Sequence, residues 1–215
     1  MKKDFTELIF ILDRSGSMSG LEKDTIGGFN SLIEKQKKES GEASVTTVLF
    51  NDSMEIIHDH INIQNINKLT EKEYYVFGCT ALLDSIGYTI NHVKHIHENL
   101  VEEEKPEKTL FIITTDGLEN SSHEFCYAKI KKMIDESKKK LKYDFIFLGA
   151  NIDSEEEAAK LGIDKEQAVS FNNDALGVYL NYAALNEAIK GYRKIKVLCP
   201  SWRETIDSDY RKRKK

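Results

Sequence analysis

The residues best placed to do chemistry lie in the run Asp13-Arg14-Ser15-Gly16-Ser17-Met18-Ser19-Gly20. One carboxylate and two hydroxyls fall on alternate positions, Asp13, Ser15 and Ser17. These are hard oxygen donors. They suit Mg²⁺, which takes near-octahedral oxygen ligands and keeps several waters. The run follows the apolar stretch Leu8-Ile9-Phe10-Ile11-Leu12 and precedes a helical pattern that begins near Leu21. A buried strand therefore empties into a small polar loop that feeds a helix, and in open α/β sheets ligands sit at such a place.

The rest of the chain supplies the elements that must hold this loop. Residues 5–12 read as a central parallel strand, apolar on both faces. Ser19 and Glu22 fit a capping box for the helix that follows, and Gly27-Gly28 inside it points to close packing on the sheet. Residues 43–50 and 54–63, separated by Asn51-Asp52-Ser53, read as a β-hairpin. His58 and His60 on its second strand read as part of a solvated face. Residues 81–100 carry an apolar stripe through Leu82, Leu83, Ile86, Ile90, Val93 and Ile96. His92, His95 and His97 near the end of that helix read as partners of its dipole. Further strands are expected at 110–114, 143–148 and 168–171. Helices are expected near 125–140, where the Lys138-Lys139-Lys140 run reads as a solvated terminus, at 154–161, and at 174–189. Strands alternating with helices imply a three-layer, doubly wound, mostly parallel α/β sheet, with the hairpin as its antiparallel edge. Residues 1–194 form the domain. Residues 195–215 read as a tail anchored by Trp202 and ending in the frayed basic run Arg211-Lys212-Arg213-Lys214-Lys215.

Three blocks together resemble the von Willebrand factor A domain family and its metal-ion-dependent adhesion site. The first is Asp13-x-Ser15-x-Ser17. The second is Gly78-Cys79-Thr80-Ala81-Leu82, like the family's Gly-x-Thr-x-Leu. The third is Thr115-Asp116-Gly117 at the end of an apolar strand. The resemblance runs from Phe5 to about Ile189. It implies a bacterial or phage-type single-domain member with a Rossmann-like fold. It also implies a metal held by five residues. Ser15 and Ser17 bind through their hydroxyls, Thr80 directly or through water, and Asp13 and Asp116 directly or through water. Mg²⁺ is the expected ion, with Mn²⁺ or Ca²⁺ as alternatives. The family uses such a metal to grip an Asp or Glu carboxylate on a partner protein. Arg14 and residues 117–122 would flank that carboxylate, with Glu119, Asn120, Asn151 and Asp153 on the rim. Taken singly, Ser15, Ser17, Thr80 and Asp13 read as ordinary loop and cap residues. Five oxygen side chains at three strand ends are poorly explained that way.

Composition bounds the alternatives. The chain has 215 residues, 40% of them hydrophobic, and a formal charge of −5. That length allows a sizeable core, and the acidic balance argues against a nucleic-acid partner. Three cysteines without a CxxC pair point to a reducing, cytoplasmic setting. No stretch approaches the roughly 20 apolar residues of a membrane span. An enzyme is disfavoured. Gly16-Ser17-Met18-Ser19-Gly20 puts Met18 where a hydrolase elbow needs its serine, and no phosphate-binding glycine loop follows a strand. Metal-assisted hydrolysis stays open as an alternative. So does a fixed place in a larger assembly, for example beside an ATPase.

Overall fold

In the computed structural model, which describes residues 1–213, β1 (Lys2–Asp13) is buried from Phe5 onward. It pairs in parallel with β2 (Glu42–Phe50) on one side and β4 (Pro106–Thr115) on the other. A strand enclosed in this way must be apolar on both faces. Leu8, Phe10 and Leu12 face the layer of α1 (Glu22–Gln36) and α5 (Ala175–Ile195). Ile9 and Ile11 face α2 (Leu82–Asn99), α3 (Tyr127–Glu136) and α4 (Ser154–Leu161). With β3 (Met54–Asn62), β5 (Tyr143–Ala150) and β6 (Ala168–Phe171), the sheet has the order β3-β2-β1-β4-β5-β6. Only β3 is antiparallel to its neighbour. This is the expected three-layer, doubly wound fold. The winding reverses between β1 and β4, so their C-terminal ends open a crevice.

Several local expectations change. Helix α1 starts at Glu22 behind Leu21, with no side-chain cap, and Ser19 is not its cap. A short turn over Gly16–Met18 occupies the preceding residues, and Gly20 reverses the chain at φ +91°. The Glu22 carboxylate instead accepts the Gly20 N–H at 2.8 Å. Gly28 does mark a close approach, but to α5 and not to the sheet. A Cβ there would lie 2.2 Å from the Tyr182 ring.

The two strand histidines do not share a solvated face. Pairing between β2 and β3 slips twice around Thr47, and His60 adopts φ +50°. This bulge breaks the side-chain alternation. His58 is buried and stacks on Phe29 of α1, and its Nδ1 lies 3.0 Å from Thr47 Oγ1. His60 turns to the other layer, where its Nδ1 meets Glu7 Oε1 at 2.6 Å. From α2, His97 Nε2 meets Glu7 Oε2 at 2.5 Å, and its Nδ1 meets the Tyr143 hydroxyl at 2.7 Å. His97 therefore serves a buried carboxylate, and the helix dipole does not account for it. Burial alone would raise the pKa of Glu7. The two imidazoles outweigh burial and hold it below the usual range. The same bond holds His60 above its ordinary value, against its own burial.

At the end of the chain, the basic run expected to fray begins inside a helix. A turn at Pro200–Arg203 leads into α6 (Glu204–Arg213), which packs on α5 and β6. Leu198, Trp202 and Ile206 are buried in the core, and Trp202 Nε1 donates to the Glu166 carbonyl at 3.3 Å. Arg211 to Arg213 close the helix, while Lys214 and Lys215 lie outside the described residues.

Candidate metal centre

Three loops meet at the crevice, and backbone bonds align them. The Arg14 carbonyl accepts the Phe77 N–H at 3.0 Å, and the Gly78 carbonyl accepts the Gly16 N–H at 3.1 Å. The Tyr74 hydroxyl donates to the Asp13 carbonyl at 2.6 Å. Asn120 bridges the other two loops. Its N–H donates to the Thr80 carbonyl at 3.1 Å, and its Oδ1 accepts the Thr80 N–H at 2.9 Å. Glu119 accepts the Leu83 N–H in the first turn of α2, and Asp84 accepts the N–H groups of His123, Glu124 and Phe125. Six backbone amides are thus tied across the gap between the Thr80 and Asp116 loops.

The five expected side chains come together there. Asp13 Oδ1 accepts the Ser15 N–H at 2.7 Å, and Oδ2 accepts the Thr115 hydroxyl at 2.6 Å. The Ser15 and Ser17 hydroxyls are 3.1 Å apart. Ser17 Oγ donates to Asp116 Oδ1 at 2.5 Å. A Cβ on Gly117 would sit 3.5 Å from Thr80 Oγ1 and 3.6 Å from Ser17 Oγ, so these hydroxyls approach one point from two loops. Asp13, Ser15, Thr80 and Asp116 are buried, and Ser17 opens to solvent.

The electrostatics are unbalanced as they stand. Burial pushes the Asp13 carboxyl up to about 6, and Asp116 adds to the effect. Burial also raises Asp116. Among the described residues, no cationic side chain is among the main groups acting on either aspartate. A divalent cation would relieve both groups, and the donor set of carboxylates and hydroxyls matches a hard ion. Among the described residues, no three His, Cys, Asp or Glu side chains are arranged to hold a metal.

The flanking residues are placed differently from expectation. Arg14 is buried and turned away. It pairs with Glu55 at 3.0 Å, donates to the Glu73 carbonyl at 3.0 Å, and lies 5.1 Å from the centre of the Tyr75 ring. Glu119 and Asn120 are structural ties, as described above. Asp153 caps α4 by accepting the Glu156 N–H. Asn151 remains exposed at the loop end of β5. Sequence reasoning missed Asn173, whose Nδ2 donates to Asp116 Oδ2 at 3.1 Å. It also missed an exposed pair of stacked rings, Tyr75 and Phe77, beside the first loop. Alternate aromatic positions ahead of Gly78 were the available signal for that pair.

No family model matches the sequence, and no curated protein does. Solved structures do match in fold. A von Willebrand factor type A protein from Catenulispora acidiphila superposes with TM-score 0.58 at 15% identity, over 86% of this chain and 42% of that one. Proximal thread matrix protein 1 from the mussel byssus, with a zinc-occupied MIDAS motif, gives TM-score 0.58 at 13% identity, over 86% and 46%. Manganese-loaded TRAP protein from Plasmodium vivax gives TM-score 0.52 at 19% identity, over 69% and 58%. The chain spans less than half the length of the first two. At these identities the likeness is one of fold.

Proposed function

We propose that this domain is a metal-dependent protein-binding module. Asp13, Ser15, Ser17, Thr80 and Asp116 hold a divalent cation, Mg²⁺ by preference, and the open side of the site receives an Asp or Glu carboxylate from a partner protein. The observation that carries this reading is the pair of buried aspartates linked through Ser15 and Ser17, with no cationic side chain of the described residues among the main groups acting on them. Two fold neighbours, one manganese-loaded and one with zinc in its MIDAS motif, support it.

The bound metal would supply a localised positive charge with an exchangeable water. The protein's part is to keep that charge incompletely neutralised. Three of the five donors are neutral hydroxyls, so an incoming carboxylate adds a charge-assisted contact. Asp13 is held by Ser15 and Thr115, and Asp116 by Ser17 and Asn173, so both carboxylates are oriented before the ion arrives. Tyr75 and Phe77 offer apolar area beside the first loop, which suits a protein surface. We read the site as a binding site and not as an enzyme's, in a cytoplasmic protein, with a transient partner or a fixed assembly as the two contexts.

The test is thermal unfolding with Mg²⁺ or Mn²⁺ against chelator, followed by capture of partners from lysate. At ten times Kd the metal stabilises by about 1.4 kcal/mol, or about 3–6 °C for a chain of this size. Asp13→Ala is expected to lose this response and to lose any partner recovered only with metal. An unchanged melting curve at saturating metal would defeat the reading.

A further inference from the structure

Asn173 sits in the three-residue turn between β6 and α5, and both of its neighbours are fastened to the C-terminal helix. Asn172 Nδ2 donates to Asp209 Oδ2 at 2.9 Å. Asp174 caps α5 by accepting the Gly177 N–H at 2.8 Å, and its other oxygen accepts from the Arg213 guanidinium. Arg213 also pairs with Asp209, its Nε donating at 2.9 Å. The turn itself is tight. The Asn172 carbonyl accepts the Asp174 N–H at 2.9 Å. A Cβ on Gly177 would lie 1.8 Å from that carbonyl oxygen, so the turn rests directly on the first turn of α5. From this base Asn173 reaches Asp116, and its own Oδ1 is buried with no hydrogen-bond partner.

We propose that Asn173 is a positioning residue of the metal centre, and that α6 tunes the centre's affinity by latching the turn that carries it. Its carboxamide makes one hydrogen bond, and that bond goes to the oxygen of Asp116 that Ser17 does not use. Both oxygens of Asp116 are thereby fixed, one by each loop. A free carboxylate would have to be oriented on binding; this one is oriented beforehand. Outer partners of metal ligands typically contribute 10–100-fold to affinity. The Arg213 pairs are partly exposed, which limits the latch to a smaller share. The anchor beneath the latch is apolar, through Trp202 and Ile206.

The inference rests on the metal-site reading, and the experiment separates the two. Mn²⁺ affinity is measured by titration calorimetry for wild type, Asn173→Ala, Arg213→Ala, Asp209→Asn and the Asn173→Ala/Arg213→Ala double variant. Melting temperature in chelator is recorded alongside. Asn173→Ala is expected to weaken Mn²⁺ about tenfold with its chelated melting point within about 2 °C of wild type. Arg213→Ala and Asp209→Asn are expected to weaken it about threefold. The double variant should match Asn173→Ala alone, because the latch acts through that side chain. If wild type binds Mn²⁺ and Asn173→Ala binds it equally, the positioning role is overturned. Unchanged affinity in both α6 variants overturns the latch, and so do multiplicative losses in the double variant. Failure of wild type to bind Mn²⁺ overturns the site reading and this inference together.

Discussion

Lowering the pH should loosen the metal, and the structure sets the size of the effect. The Asp13 carboxyl is raised to about 6 without metal, first by burial and then by Asp116. A proton and a cation compete for it. At about pH 5 only about one site in eleven would be ionised, against nearly all at about pH 7.5. Metal affinity is therefore expected to fall about tenfold over that range. An ordinary aspartate with a pKa near 3.8 would lose less than about 10%. The sign follows from linkage. An acid whose folded pKa exceeds its unfolded value binds more protons when folded, so metal-free stability declines as pH rises from about 4 to about 6. The full decline is on the order of 3 kcal/mol. Asp13→Asn should remove it. The amide oxygen can still accept from Ser15, while the Thr115 hydroxyl can donate to Gly117 and accept from the amide. In chelator near pH 7.5 the variant should melt several degrees above wild type, while showing no metal response. Calorimetric Mn²⁺ titration at the two pH values, with melting curves in chelator, measures both effects. Flat affinity between the two pH values, or an Asp13→Asn variant less stable than wild type, would refute the raised carboxyl.

Two further outcomes test the frame around the site. Glu7→Gln removes a buried anion held by His60 and His97. Leaving such a partner unmatched costs about 3 kcal/mol. The stability difference from wild type should be largest between about pH 4.5 and 6.5, shrinking below as the lowered Glu7 protonates and above as the raised His60 loses its proton. Equal melting curves across that range would show that the cluster contributes nothing. Gly28→Ala would place a methyl 2.2 Å from the Tyr182 ring. Overpacking of this kind costs about 1–3 kcal/mol, and a denaturation midpoint equal to wild type would mean that α1 and α5 can separate freely.

What the sequence disclosed was local. Asp13, Ser15 and Ser17 fall within five residues of one another at the end of an apolar run, so strand, loop and donor spacing could be read together. The doubly wound, mostly parallel sheet followed from strands alternating with helices. Most of the misreadings concern where a side chain points once distant elements meet. Arg14 lies between two donors, yet it turns to Glu55 because that edge of the sheet offers a carboxylate. Glu119 and Asn120 carry rim-like chemistry but are consumed by the amides of the neighbouring loop. His60 follows an alternation that a bulge cancels, and bulges leave no reliable mark in composition. Asn173 reaches Asp116 across 57 residues of sequence. Helix α6 buries Ile206 alone among its own residues, so its periodicity was too weak to separate it from a polar tail.

The two ends of the sheet have a bearing on how copies of this protein meet. One border strand, β3, is distorted by the His60 bulge. The other, β6, is only four residues long and has α6 packed against it. Unpaired border strands are templates for pairing with another chain, and short length, bulges and helical cover each suppress that pairing. Neither flank is therefore suited to growing a continuous sheet between molecules, as fibrils and strand-exchanged dimers do. Crowding many copies on a multivalent partner through their loop ends would bring the flanks side by side without inviting them to zip together.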